Sequence, residues 1–365
     1  MVFIRLLAFI GFVLGHIATL SFSLNWWYGQ RLSNKILSRI RLLHGALVLA
    51  GIVSVGWLLF LGYVPGAKFE ADSGWAESLG GGYILWCLVV GFIGVPGLSL
   101  YRWLRPPARG FVRKQSTVLD VAAKLGYQPL GRGRYRSLAQ MPGNQIYQVE
   151  FSEKTFALPQ LPAAWHGLTI LHLTDLHFHG TPDIAFFQTV MDACMARTPD
   201  IVAVTGDIVD SPWHHRWLER ILGKLRWKEA GLAILGNHDK LYSSSLIRRR
   251  LSKIGFQVVQ NRWIETPIRG VPMTVIGHQG PWFRPAPNAS KCPQDQFRLC
   301  LSHTPDNIRW AQANKIDLML SGHNHGGQIR FPLIGSVLVP SAYSRRYDCG
   351  VFWEKPTLLH VCRGL

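Results

Sequence analysis

LTILHLTDLH (168–177) and IVAVTGDIVD (201–210) share one design: an apolar run of strand length that ends in groups able to bind a metal. The design recurs three more times. Residues 232–235 lead into Gly236, Asn237, His238 and Asp239, residues 298–302 end at His303, and residues 318–321 end at Gly322, His323, Asn324 and His325. Helix-like segments lie between them, at 184–197, 217–228, 243–254 and 306–314. Near-continuous apolar strands alternating with helices predict an α/β fold with a largely parallel sheet covered on both faces. Ligands in such sheets gather beyond the carboxyl ends of the strands. Five strand ends then converge on one crevice and bring Asp175, His177, Asp207, Asn237, His303, His323 and His325 to it.

Each piece alone is ordinary. Asp-x-His recurs by chance, Gly-Asp-x-x-Asp can be a turn with a helix cap, and a lone histidine is usually a satisfied core residue. Five such endings in register are a site. A mixed oxygen and imidazole shell without thiolate suits Mn²⁺, Fe²⁺ or Zn²⁺. Two ions about 3.5–4 Å apart can share a carboxylate and clamp the attacking and leaving oxygens of a phosphoryl group. Asp207 is the natural bridge, because Gly206 before it permits a tight turn. Asp175, His177 and His325 complete the shell of one ion, and Asn237, His303 and His323 that of the other. His238 is left as a donor to the phosphoryl oxygen or leaving group, with Asp210 holding its tautomer.

The set Asp175-Leu-His177, Gly206-Asp207-x-x-Asp210, Gly236-Asn237-His238-Asp239, His303 and Gly322-His323-Asn324-His325 resembles the calcineurin-like metallophosphoesterase family over roughly residues 160–365. The resemblance implies a four-layer αββα sandwich around a dinuclear centre. Leu301-Ser-His303-Thr-Pro305-Asp306 and Gly326-Gly327-Gln328 are similar to a bacterial membrane-associated subgroup, which includes a UDP-2,3-diacylglucosamine pyrophosphatase. Relatives usually run a few strands beyond the segment matching 361–365, which implies a missing sheet edge or a truncated chain.

Outward from this region the composition changes. Hydrophobic residues make up 48% of the 365 and charged residues 16%, against about 25% charged in ordinary soluble chains. Disorder and low-complexity classes are thereby excluded. Three uncharged runs, 6–24, 46–64 and 83–101, are each long enough as helices to span roughly 28 Å, about one bilayer core. Trp26, Trp27, Tyr28, Tyr63, Tyr83, Tyr101 and Trp103 stand at their ends, where aromatic rings settle among headgroups. Pro96 predicts a kink in the third helix; His16, inside the first, reads equally as a functional residue or as an interhelical hydrogen bond. Arg31, Lys35, Arg39 and Arg41 in the first loop, with Arg102, Arg105, Arg109, Arg113 and Lys114 after the third helix, outnumber Arg5 and Lys68 on the other side. The positive-inside rule then makes this an integral inner-membrane protein with a cytoplasmic catalytic domain. The organisation read from these features is a membrane anchor at 1–104, a linker with entry strands at 105–162, and a catalytic domain at 163–365. Within the linker, 117–125 reads as a short helix, and 145–151 and 155–158 as strands. Six cysteines without a CxxC pair argue against a disulfide framework.

The formal charge of +18 suits anionic partners. The expected substrate is a phosphorylated lipid or sugar-nucleotide lipid at the inner leaflet, such as UDP-2,3-diacylglucosamine, cleaved at a phosphate ester or pyrophosphate bond. Trp213, Trp217, Trp282 and Phe283, with nearby cations, could seat acyl chains or a base; Arg330, Arg345 and Arg346 could neutralise a diphosphate; 248–250 reads as a solvated arginine face. A phosphodiesterase for soluble nucleotides and an inert membrane sensor are the alternative readings. Nucleic acid is not an expected partner, since no recognition motif accompanies the charge.

Overall fold

The computed structural model describes residues 2–30, 32–61, 75–327, 330–331 and 334–365; Arg31, Tyr63, Lys68 and Gln328 lie outside the described residues. The chain divides into two compact units, Met1–Pro106 with Gly326–Asp348, and Pro107–His325 with Cys349–Leu365.

The first unit contains α1 (Val2–Tyr28), α2 (Asn34–Phe60), α3 (Trp75–Val89), a π turn (Val90–Gly94) and α4 (Val95–Leu104). Three stretches, Val2–Tyr28, Lys35–Phe60 and Leu79–Leu104, are long and apolar enough to cross a membrane. Pro96 stands in the first turn of α4. The helix continues through it because the preceding turn widens, with the Val95 N–H donating to the Val90 carbonyl, a known accommodation of a ring that lacks an N–H. Small residues let the helices approach closely. A Cβ on Gly15 would lie 1.8 Å from the Cys87 carbonyl oxygen, and one on Gly91 would lie 1.9 Å from that of Gly11. His16 is buried and joins three helices, Nδ1 to the Tyr83 hydroxyl at 2.6 Å and Nε2 to the Leu47 carbonyl at 3.1 Å.

In the second unit β1 (Phe111–Asp120) pairs antiparallel with β2 (Gln148–Phe156). The helix expected over 117–125 is therefore strand as far as Asp120. Only α5 (Val121–Leu125) is helical, capped by the Asp120 carboxylate and closed by Gly126 at φ 76°. The two expected strands at 145–151 and 155–158 are one, β2. Glu153 and Lys154, between the two expected strands, lie opposite Gln115 and Lys114 in the same ladder. A single turn, α6 (Arg136–Ala139), separates α5 from β2.

Two sheets follow. β3 (Ile170–Leu173), β4 (Ile201–Thr205), β5 (Ala230–Ile234) and β6 (Gln257–Val258) form a wholly parallel sheet. The second sheet runs in the order β11 (Gly350–Glu354), β12 (Thr357–Val361), β10 (Leu318–Ser321), β9 (Arg298–Ser302), β8 (Val271–His278) and β7 (Trp263–Ile268), parallel in its middle and antiparallel at both edges. The last strand, β12, lies inside that sheet. Periodicity alone placed five ligand-bearing strands in one sheet, whereas β3, β4 and β5 belong to one and β9 and β10 to the other. Strands apolar on both faces look alike in either arrangement. Ile201, Ala203, Leu232 and Ile234 meet Val275, Leu299, Leu301 and Leu320 between the sheets. On the far face of the first sheet, Val202, Val204 and Ala233 share a core with helix residues including Phe187 and Val190 of α7 (Ile184–Cys194), Leu218 of α8 (Trp217–Ile221) and, beyond α9 (Asn237–Leu241), Ile247 of α10 (Ser244–Lys253). α11 (Ile308–Ala313) packs against β12. Helix, sheet, sheet and helix give the expected four-layer α/β sandwich.

Gly91→Ala forces a methyl group onto the Gly11 backbone. It is expected to destabilise the detergent-solubilised protein by roughly 1–3 kcal/mol in thermal unfolding, whereas Gly97→Ala, which meets nothing within 4 Å, leaves the midpoint unchanged.

Candidate metal centre

Every predicted ligand follows a strand, and the backbone turns sharply to present it. Asp175, His177, Asp207, His323 and His325 all have positive φ, at 55°, 44°, 52°, 70° and 48°. Such conformations cost of order 1–3 kcal/mol each for residues with side chains and persist where the surroundings enforce them. The enforcement is visible. The Asp175 N–H donates to the Gly206 carbonyl at 2.9 Å and the His177 N–H to the Asp207 carbonyl at 3.0 Å, so the loop after β3 is zipped to the loop after β4. Two glycines make room for the carboxylates: a Cβ on Gly236 would lie 2.2 Å from Asp207 Oδ1, and one on Gly322 would lie 2.2 Å from Asp175 Oδ2.

Three groups result, each with ligand atoms within 4.8 Å of one another: Asp175, His177 and His325; His177, Asp207 and His238; Asp207, His303 and His323. They form a chain, because His177 belongs to the first two and Asp207 to the last two. His177 Nε2 and His325 Nε2 stand 3.1 Å apart, at 3.8 and 3.6 Å from Asp175 Oδ1. Asp207 Oδ2 is 3.2 Å from His303 Nε2 and 3.8 Å from His177 Nε2. Asn237 reaches the same place, its Oδ1 3.0 Å from His303 Nε2. All seven predicted ligands therefore face one cleft. A donor set of two carboxylates, four imidazoles and one amide oxygen, with several atoms converging rather than pairing off, fits two divalent cations.

The surroundings orient the rings. His303 Nδ1 donates to the Thr205 carbonyl at 2.8 Å, which turns Nε2 toward Asp207. Asp210 takes Nδ1 of His238 on one oxygen and Nδ1 of His177, at 3.3 Å, on the other. The sequence reading gave Asp210 only the first of these. Asp239, quoted within its motif but given no role, is buried and accepts the N–H groups of Ile208, Val209 and Gly236 at 2.9, 3.0 and 2.9 Å. It thus fixes the loops after β4 and β5 together; its position as third residue of α9 was the available signal.

Charge follows geometry. Burial works against ionisation of Asp207, but His303 and His238 beside it hold its carboxyl well below the ordinary carboxylate range. Burial likewise lowers His303 and His238, yet Asp207 outweighs it and raises each to about 9, helped for His238 by Asp210. His323 and His325 lose to burial and fall to about 3 and about 4.

Other predicted positions separate. The Trp282 ring sits 4.8 Å from that of His323 and 5.4 Å from that of His303, roofing the cleft, with its carbonyl held by Lys240 at 2.6 Å. Trp213 is 77% exposed, and Trp217 packs in the core. The arginine face is not simply solvated: Arg248 lies over the Phe283 ring at 5.2 Å, and Arg250 pairs with Glu219 at 2.6 Å.

A family model for the calcineurin-like phosphoesterase matches residues 168–327. The phosphodiesterase YaeI of Escherichia coli is 30% identical over 203 residues, covering 54% of this chain and 74% of that one. The chain belongs to the calcineurin-like phosphoesterase family. Among other relatives in the family, the metallophosphoesterase YkuE of Bacillus subtilis is 28% identical over 227 residues (60% of this chain, 79% of that one). The UDP-2,3-diacylglucosamine pyrophosphatase LpxG of Chlamydia trachomatis is 29% identical over 229 residues (48% and 68%).

Metal binding requires neutral imidazole at His303, whose pKa in the metal-free protein is about 9. Manganese titrated calorimetrically near neutral pH, in buffers of different ionisation heat, is expected to release about one proton or more per site pair, and affinity rises with pH toward that value. The sign for the metal-free fold is opposite. A raised pKa makes imidazolium stabilising below the ordinary histidine range, and that contribution is lost as pH climbs through about 9.

Proposed function

We propose that this metal-dependent phosphoester hydrolase cleaves a phosphate ester or diphosphate bond in a membrane lipid precursor, with UDP-2,3-diacylglucosamine as the favoured substrate. Two divalent ions (manganese, iron or zinc) would be held by Asp175, His177, Asp207, Asn237, His303, His323 and His325, with Asp207 the residue that would serve both. The observation that carries this reading is the chain of three overlapping groups of ligand atoms, joined through His177 and Asp207. When bound, the ions supply Lewis-acid activation and charge neutralisation for the phosphoryl group.

The protein's own groups do the rest. His238 is the more open of the imidazoles, with a side chain 37% exposed. Its Nδ1 is taken by Asp210, so Nε2 faces the cleft, and the Asp210 carboxylate favours its protonated form. That proton goes to the leaving oxygen as the bond breaks. Asp210 acts through His238 as a positioning residue. Trp282 covers the cleft and keeps bulk water from His303 and His323. The three apolar helices favour a substrate in the bilayer, and the cation-rich loops favour the inner leaflet, with the catalytic unit cytoplasmic. The similarity to a pyrophosphatase of lipid-linked sugar nucleotides supports the same class, and the similarity to a phosphodiesterase keeps soluble diesters as the second reading.

Manganese-loaded full-length protein in detergent is expected to release UMP from UDP-2,3-diacylglucosamine far faster than it hydrolyses bis-p-nitrophenyl phosphate. Comparable rates on both would favour the soluble-diester reading. His238→Gln is expected to lower kcat by roughly 10²–10⁴-fold with metal content retained, and Asp207→Asn to lose both metal and turnover. In Asp210→Asn the high-pH fall of the rate profile, set by loss of the His238 proton, moves to lower pH.

A further inference from the structure

Residues 326–348 hold three arginines and one acid and belong with the apolar helices. Asn25 of α1 binds the segment at three points, through the Val337 carbonyl, the Ser344 hydroxyl and the Val339 N–H, at 3.0, 3.0 and 2.8 Å. A short ribbon, Arg330–Phe331 with Gly335–Ser336, lies beside the last turn of α4 and forms with it an open cavity of about 380 Å³ lined by Ser99, Arg102, Trp103, Arg330, Phe331 and Ile334. Asp348 is buried behind two of these residues, accepting from Arg102 at 2.5 Å and Arg330 at 3.0 Å, and from Ser336 at 2.6 Å. Arg345 donates to the Ile334 carbonyl and is close enough to Arg102 and Arg330 that burial and their charges lower its pKa. Three guanidinium groups thus gather around a single carboxylate. Arg102 Nη1 and Arg345 Nε are buried without a hydrogen-bond partner.

We propose that this cavity binds the phosphate of a membrane-lipid headgroup. Guanidinium groups match phosphate oxygens in charge and fork geometry, and an anion there would balance the surplus positive charge. The cavity lies at the end of an apolar helix, the depth at which headgroups reside. Trp103 at 80% exposure, with Phe331 at 52%, offers an apolar rim for the acyl chains. None of its residues is among the seven predicted metal ligands, and the site holds whether or not the bound lipid is the one hydrolysed.

The test is thermal unfolding of the full-length protein in a neutral detergent, titrated separately with short-chain phosphatidylglycerol, the corresponding diacylglycerol and inorganic phosphate. Phosphatidylglycerol is expected to raise the midpoint, diacylglycerol to leave it unchanged, and inorganic phosphate to act only at far higher concentration. Arg330→Gln is expected to weaken the lipid response at least about tenfold. Because that change also breaks an ion pair, Phe331→Glu, which sets a carboxylate at the exposed mouth and leaves the Asp348 pairs intact, is expected to do the same. Equal potency of inorganic phosphate would mean a free-anion site and would overturn the proposal. So would an equal response to diacylglycerol, or a lipid response that survives Phe331→Glu and disappears in Asp207→Asn.

Discussion

Asp175 and Asp207 are fully buried carboxylates at the ends of adjacent parallel strands. Two anions removed from water at close range repel one another and forgo hydration, a combination that costs several kcal/mol per ion unless cationic or hydrogen-bonding partners replace the solvent. Here the partners are imidazoles delivered from both sheets and backbone N–H groups such as that of His323 on Asp175 at 2.9 Å. The strained backbone at five ligands follows from the same requirement. The turns that aim these side chains inward are unfavourable one by one and are held because the loops are hydrogen-bonded to each other and packed above a dry core.

The four-layer architecture serves this convergence. Parallel strands all end on the same side, so each β-to-α loop opens toward the cleft. Having two sheets lets β3, β4 and β5 face β9 and β10 across it. Buried side chains between the sheets fix the separation, and Asp239 and Thr205 fix the loops. Asp210 then governs two imidazoles at once, which couples the orientation of His177 to that of His238.

Much of this was legible in the residues. The strands 201–205, 298–302 and 318–321 were read to the residue, since apolar runs broken by Gly or His have sharp ends. The residues that gather in the cleft were legible because a polar group directly after a buried strand has few other reasons to be there. What stayed hidden involved partners remote in sequence. The division into two sheets depends on which strands pair, which two-sided apolar strands do not encode. β1 is nearly all exposed, so its residues lack the alternation that marks a half-buried strand. Trp282, 21 residues from His303 in the chain, reaches the cleft only through the fold of its loop. The association of 326–348 with the apolar helices rests on Asn25, some 300 residues away, and no local signal announces it.

Electron paramagnetic resonance of the manganese-loaded, full-length protein addresses the shared carboxylate most directly. With Asp207 common to both shells, the spectrum should be that of an exchange-coupled manganese pair, and it should collapse to isolated or absent manganese in Asp207→Asn. A wild-type spectrum of magnetically independent ions at every loading would contradict the dinuclear centre.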